Sequence, residues 1–265
     1  VLPAAPPSVP PIESPRARTL VRAEIVIVLA LSLGQSAVYA ILALADALSR
    51  GPLRHQTTSL NTSQSPRPWF DLAYQLVGIA VTLAPAALAV LLLAMSGLAA
   101  WETLGLARAR GGRRRLVRDL GWGTLLAASI GIPGLAIYYA GRAIGATVEV
   151  VPAALGAYWW TVPVLILQAI KNAVIEEVIA VGYLTVRLEQ LGWGPRRIVA
   201  VSALLRGSYH LYQGIGPGIA NALMGVVFAE FFRRTRRTMP LIVAHTLLDV
   251  VAFVGHALLK NVIGL

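Results

Sequence analysis

Residues 157–188 read AYWWTVPVLILQAIKNAVIEEVIAVGYLTVRL. About 20 apolar residues cross the hydrocarbon of a bilayer, and this run exceeds that length. Yet Glu176 and Glu177 stand side by side inside it. An ionisable group at that depth costs roughly 2.5–3.5 kcal/mol, so the pair requires a compensating polar site between helices. Two later apolar runs carry matching groups. His210 closes one of them, in Arg206-Gly207-Ser208-Tyr209-His210, and His245 and Asp249 lie in the other, in His245-Thr246-Leu247-Leu248-Asp249. The pattern implies an all-α, polytopic transmembrane helix bundle with its polar site in the C-terminal half.

Composition supports that class. Of 265 residues, 57% are hydrophobic and 13% charged, with a mean hydropathy of +0.69. Soluble domains carry about 25% charged residues. Apolar runs fall near 23–47, 72–98, 120–141, 157–188, 195–213, 217–234 and 240–261, which predicts about seven spans. A break near Lys171-Asn172 would make eight helices. Residues 1–20, with Pro3, Pro6, Pro7, Pro10, Pro11 and Pro15, read as a disordered tail. Residues 21–265 then form a single transmembrane domain. The first run is too long for a signal-peptide core and reads as a retained span.

The net charge of +11 is arginine, apart from Lys171 and Lys260. Arg16, Arg18 and Arg22 precede the first span. Arg108, Arg110, Arg113, Arg114, Arg115 and Arg118 follow the second, Arg187, Arg196 and Arg197 follow the fourth, and Arg233, Arg234, Arg236 and Arg237 end the sixth. With seven spans these clusters share one side, which predicts a bacterial inner-membrane protein with a cytoplasmic N-terminus. Trp69, Trp101, Trp122, Trp159, Trp160 and Trp193 mark the proposed span ends. Residues 99–118 read as an interfacial helix on the inner leaflet or as a plain cytoplasmic loop. No basic stretch alternates with aromatics, so nucleic acid is excluded as a partner. Cysteine is absent, which removes disulfides, thiolate metal sites and a thiol nucleophile.

Adjacent helical residues point about 100° apart, so Glu176 and Glu177 serve different surroundings: one faces a cavity, the other a neighbouring helix. A carboxylate facing a secluded cavity suits a general base. Arg206 and His210 are four apart and share a face, as do His245 and Asp249. Counted from the arginine-marked ends, Glu176 lies about 16 Å deep, His210 about 20 Å and His245 about 10 Å, differences that helix tilt can absorb. Glu176, His210 and His245 offer a zinc-ligating set, although the local His-Glu-x-x-His arrangement is missing. Zinc and metal-free chemistry both stay open.

These blocks resemble the CPBP intramembrane endopeptidases, relatives of the type II CAAX-prenyl endopeptidase that are often called Abi proteins. That family carries paired glutamates with an arginine four residues on, then Phe-x-x-x-His, then His-x-x-x-Asn or Asp, on successive membrane helices. The chain matches at Glu176-Glu177, His210, and His245 with Asp249, over about residues 155–256. It departs at Val181, where the family has arginine, and at Arg206, where it has phenylalanine. The two departures read as one event, in which Glu177 pairs across helices with Arg206, since a lone buried carboxylate costs several kcal/mol.

The resemblance implies a membrane-embedded endopeptidase acting on a membrane-associated peptide or protein. Glu176 would activate water, with His210, His245 and Asp249 orienting and stabilising, and Glu177 and Arg206 as support. The rival is an inactive scaffold or accessory subunit of a membrane protein complex. A transporter would need polar groups across all spans, and spans one to three are nearly apolar. Other polar residues have plainer readings. Lys171 and Asn172 either line the site from one turn above Glu176 or mark a helix break or a snorkelling lysine, Gln35 and Gln75 bridge helices, Asp46 and Asp71 are solvated at span ends, and Glu230 pairs with Arg234.

Overall fold

The computed structural model describes residues 9–106 and 112–263. Arg108, Arg110 and the first three prolines of the tail lie outside them. Helix α1 spans Pro15–Ala30, with proline in its first turn and the Ser14 side chain accepting from Ala17 N at 3.5 Å. The expected tail is therefore helical from residue 15. Ahead of it, Ile12 N donates to Gln190 O at 3.0 Å, and Arg18 Nη2 donates to Leu191 O at 2.7 Å.

The first apolar run is not one straight span. Helix α2 (Leu33–Arg50) is bent 52° from α1. At the break Ser32 Oγ turns back to donate to Val28 O at 2.6 Å. Gly34 permits the fold there, because a Cβ would lie 2.8 Å from the Leu29 carbonyl oxygen.

Helix α3 is Pro68–Met95, containing Pro85, and α4 is the short Ala100–Thr103. Helix α5 runs Gly112–Ala143. The expectation of an interfacial helix over 99–118 is thus corrected. Arg113 to Arg118 form the first turns of α5, because the helical register of the 120–141 run extends back through them. Helix α6 (Thr161–Glu176) passes directly into a π-helical segment (Glu177–Tyr183) and then α7 (Leu184–Gln190). No break occurs at Lys171-Asn172; the irregularity begins at Glu177.

Helix α8 (Pro195–Ser208) has 14 residues, about 21 Å, against a hydrocarbon core of about 30 Å. Helices α9 (Ile215–Thr235) and α10 (Met239–Ile263) complete the bundle. By length and composition α3, α5, α9 and α10 can each cross a bilayer, and the bent α1–α2 pair makes a fifth candidate. The chain is a membrane helical bundle. Its α8–α9 seam depends on small residues: a Cβ on Gly225 would meet Ala203 Cα at 2.7 Å, and one on Gly207 would meet Gly218 O at 2.8 Å.

Strands β1 (Thr57–Ser59) and β2 (Glu149–Val151) pair in parallel between the α2–α3 and α5–α6 connections. Asp71 is fully buried beside them rather than solvated. It accepts from Ser63 Oγ and Gln64 N, both at 2.8 Å. Gln75 does bridge helices, accepting from Gln168 Nε2 at 2.9 Å.

The opposite face is stitched by the arginines. Arg187, 1% exposed, bonds Glu24 at 2.8 Å, Ser96 Oγ at 3.0 Å, Gln190 Oε1 at 2.8 Å and Leu92 O at 2.9 Å. Tyr183 donates to the same Glu24 at 2.8 Å. Arg236 pairs with Glu189 at 2.5 Å, and Arg237 with the buried Asp119. Removing one partner of a buried ion pair costs about 3–5 kcal/mol, because the other charge is stranded. Glu24→Leu is therefore expected to lower the apparent melting temperature in detergent, followed by tryptophan fluorescence. Glu102→Leu, at an exposed position, should leave it unchanged.

Candidate active site

Each polar block sits at an interruption or a crossing in the bundle. Glu176 is the last residue of α6 and Glu177 the first of the π segment. Arg206 lies in the last turn of α8, His210 just beyond its end, and His245 and Asp249 in α10. A cavity of about 540 Å³ opens among them. Glu176, His210, His245 and Asp249 all line it, as do Tyr209, Lys171 and Asn172; Glu177 does not.

The adjacent glutamates diverge as their spacing implies. Glu176 faces the cavity and accepts from Tyr209 Oη at 2.8 Å. Glu177 is fully buried against α8 and α10, where its Oε1 accepts from Arg206 Nη2 and from His245 Nδ1, the latter at 2.7 Å. The cross-helix contact expected from the Val181 and Arg206 substitutions is present. Arg206, itself fully buried, also reaches Glu176, with Nη1 3.4 Å from Oε2. Its guanidinium lies 5.2 Å from the centre of the Phe228 ring, which adds a cation–π contact. Glu177 Oε2 and Arg206 Nε have no hydrogen-bond partner, so charge more than complete hydrogen bonding holds this pair.

The hydrogen bonds set the imidazole tautomers. His210 Nδ1 is 2.9 Å from the Arg206 carbonyl, which can only accept, so Nδ1 carries the proton and Nε2 is a free acceptor. His245 Nδ1 likewise donates to the Glu177 carboxylate. Its Nε2 lies 4.0 Å from Glu176 Oε2 and 3.8 Å from Asp249 Oδ1. Asp249 Oδ2 accepts from Asn172 Nδ2 at 3.1 Å.

A divalent cation does not suit this arrangement well. Among the described residues the ligand-compatible group is Glu176, Glu177 and His245, which omits His210 from the set the sequence suggested. His210 donates through Nδ1 to the Arg206 carbonyl. The centre of the cluster already holds a cation, the Arg206 guanidinium between the two carboxylates.

Tyr209 was not assigned to the site by sequence reasoning, whereas Lys171 and Asn172 were weighed as lining it from one turn above Glu176 and do line it. Tyr209 is the nearest miss, since it neighbours His210, but its reach back to Glu176 needs the sharp end of α8. The N-terminal half, read as nearly apolar, supplies a polar wall through Ser32, Gln35, Ser36 and Thr82.

With the geometry in place, the comparison with known proteins is informative. Residues 158–251 match the family described as Rce1-like, type II CAAX prenyl endopeptidase Rce1-like. That similarity agrees with the CPBP resemblance of the motifs. The matched segment begins just ahead of α6 and ends two residues past Asp249, so it contains every residue of the cluster. No curated protein and no solved structure matches the chain.

Arg206→Met would leave Glu176 and Glu177 without their shared cation. It is expected to reduce folded yield and melting temperature, at a cost of about 3–5 kcal/mol. The double variant Glu177→Gln with Arg206→Met removes charge from both sides and should recover much of that loss. A double-mutant cycle on thermal unfolding checks the coupling, and strictly additive losses would contradict the ion-pair account.

Proposed function

We propose that the chain is a membrane-embedded endopeptidase that hydrolyses a peptide bond in a membrane-associated substrate. The observation that carries this reading is the convergence of Glu176, His210, His245 and Asp249 on one cavity. The family description supports the endopeptidase class. The cavity volume lies within the usual range for enclosed ligand sites.

In this mechanism Glu176 takes a proton from water as the water oxygen bonds to the peptide carbonyl carbon. His210 Nε2, a free acceptor, orients the second water hydrogen. His245 is held between Glu177 and Asp249, and in its imidazolium form it presents Nε2–H to the developing oxyanion. Collapse of the tetrahedral adduct breaks the carbon–nitrogen bond, and Glu176 returns its proton to the leaving amine. Asn172 fixes Asp249, Arg206 with Glu177 fixes His245, and Tyr209 fixes the Glu176 carboxylate. No step uses a metal. The arginine-rich face lies on the cytoplasmic side of a bacterial inner membrane in this reading, with the N-terminus on that side.

One observation favours the rival, a catalytically inactive scaffold or accessory subunit of a membrane protein complex. Glu176 Oε2 already accepts from Tyr209 and lies 3.4 Å from Arg206, and both contacts hold electron density away from a base. The two readings separate on one experiment. Proteomic comparison of cells expressing wild type and Glu176→Gln should show cleavage products that vanish in the variant. Identical products and identical phenotype would remove the enzyme reading. Tyr209→Phe deletes a single hydrogen bond to Glu176 and should change the rate of those cleavages by about tenfold or less.

A further inference from the structure

A second cavity, an open groove of about 840 Å³, lies between the start of α8 and the later turns of α9. It is separate from the acidic cluster, because Arg196 precedes Arg206 by ten residues, about 15 Å along α8. The seam contacts fix how the two helices face each other. Gly207 packs on Gly218 and Ala222, and Gly225 packs on Ala203, so the helices run antiparallel and each turn back along α8 advances one turn along α9. That register brings Arg196 and Arg197 level with Arg233 at one end of the groove. Val199, Ala200 and Val226 form its apolar floor.

The rim carries unmatched charge. Glu230, the one acidic group lining the groove, already accepts from Arg233 at 2.8 Å and from Arg234 at 2.5 Å. Glu189, six residues before α8, is taken by Arg236. Among the described residues no ion pair or side-chain hydrogen bond engages Arg196 or Arg197, and both are exposed. The floor continues along the seam. Leu204 lies one turn beyond Ala200 and is 69% exposed, and Leu223 and Val227, beside Val226, are 55% and 43% exposed. Helix α9 is among the candidate membrane spans, so this strip falls at hydrocarbon depth with the arginines at its edge.

We infer that this groove seats one anionic phospholipid, with Arg196 and Arg197 binding the headgroup phosphate and an acyl chain lying along Val199, Ala200, Val226 and Leu204. Guanidinium forks match phosphate oxygens. A free anion has no use for the apolar floor, and a soluble acidic peptide would meet hydrocarbon on one side. A zwitterionic lipid would bring its own ammonium against the arginines, which selects a headgroup with net negative charge. The inference is independent of the endopeptidase reading, because the groove lies apart from the acidic cluster and its occupancy is read by binding.

The test uses the full chain in a neutral detergent, offered equal amounts of phosphatidylglycerol and phosphatidylcholine. Retained lipid is counted by native mass spectrometry, and the melting temperature is followed with each lipid. Wild type is expected to retain one phosphatidylglycerol about tenfold or more over phosphatidylcholine, the scale of two arginines at an anionic headgroup, and to melt higher with it. The double variant Arg196→Gln with Arg197→Gln should lose both effects. Arg113→Gln with Arg114→Gln removes the same charge from an exposed stretch at the start of α5 and should keep both. Ala200→Trp fills the floor and should weaken retention with every arginine in place. Undiminished retention in the Arg196 and Arg197 double variant overturns the inference. Equal loss in the two double variants overturns it as well, since the lipid would then follow only the general field of the basic face. Displacement by millimolar glycerol phosphate, or unchanged retention in Ala200→Trp, reduces the site to a phosphate contact and rejects the lipid seat. If the double variant does not fold, Arg196→Glu and Arg197→Glu singly take its place, and full retention by both rejects the proposal.

Discussion

The site depends on one buried guanidinium. Arg206 sits between two adjacent carboxylates, fully enclosed, with an aromatic ring beneath it. Without that charge, Glu176 and Glu177 would repel each other at low dielectric. With it, both glutamates keep fixed directions. Glu177 becomes an anchor that orients His245, and Glu176 remains free along its cavity side. The same residue also organises its own helix end, since its carbonyl holds His210. One side chain and one backbone group thus set the positions of both histidines.

Backbone irregularity provides the room for this arrangement. The π segment begins at Glu177, so the helix widens where its two charged residues must separate toward different neighbours. Gly182 lies within it, where a Cβ would come within 2.7 Å of Leu104. On the far side of the cavity the α1–α2 pair bends 52° at Leu31-Ser32, and the residues flanking that bend contribute Ser32, Gln35 and Ser36 to the wall. A straight first span would direct those polar groups into lipid. Helix α8 is too short to span, so its C-terminal end, with Arg206 and His210, stops at the depth of the cluster.

The charge balance of the molecule acquires a second meaning from its ion pairs. Arginine clusters at the ends of apolar runs read as topology signals, and the sequence alone supports nothing further about them. In the structure Arg187, Arg236 and Arg237 tie the helix ends to Glu24, Glu189 and Asp119. These pairs are largely buried, so they act as cross-links between elements distant in the chain. They hold the end of the bundle from which α7 and α9 emerge, and so stabilise the frame on which the π segment and α8 are mounted.

Much of this was legible in the residues. Helical spans follow from hydropathy, because a bilayer demands long apolar runs with their backbone bonds satisfied internally. The cluster of Glu176, His210, His245 and Asp249 follows from the cost of ionisable groups in such runs. The pairing of Glu177 with Arg206 follows from the need to compensate a buried charge. Other features were not legible, and each for the same reason. The bend at Ser32, the π segment, the buried state of Asp71 and the Tyr209 contact to Glu176 all depend on which side chain a neighbouring helix presents. Composition and periodicity report what one segment prefers by itself. Only tertiary packing decides which charges meet, because a partner may lie far along the chain, as Glu24 does from Arg187, and the energy of the pair exists only once both have left water.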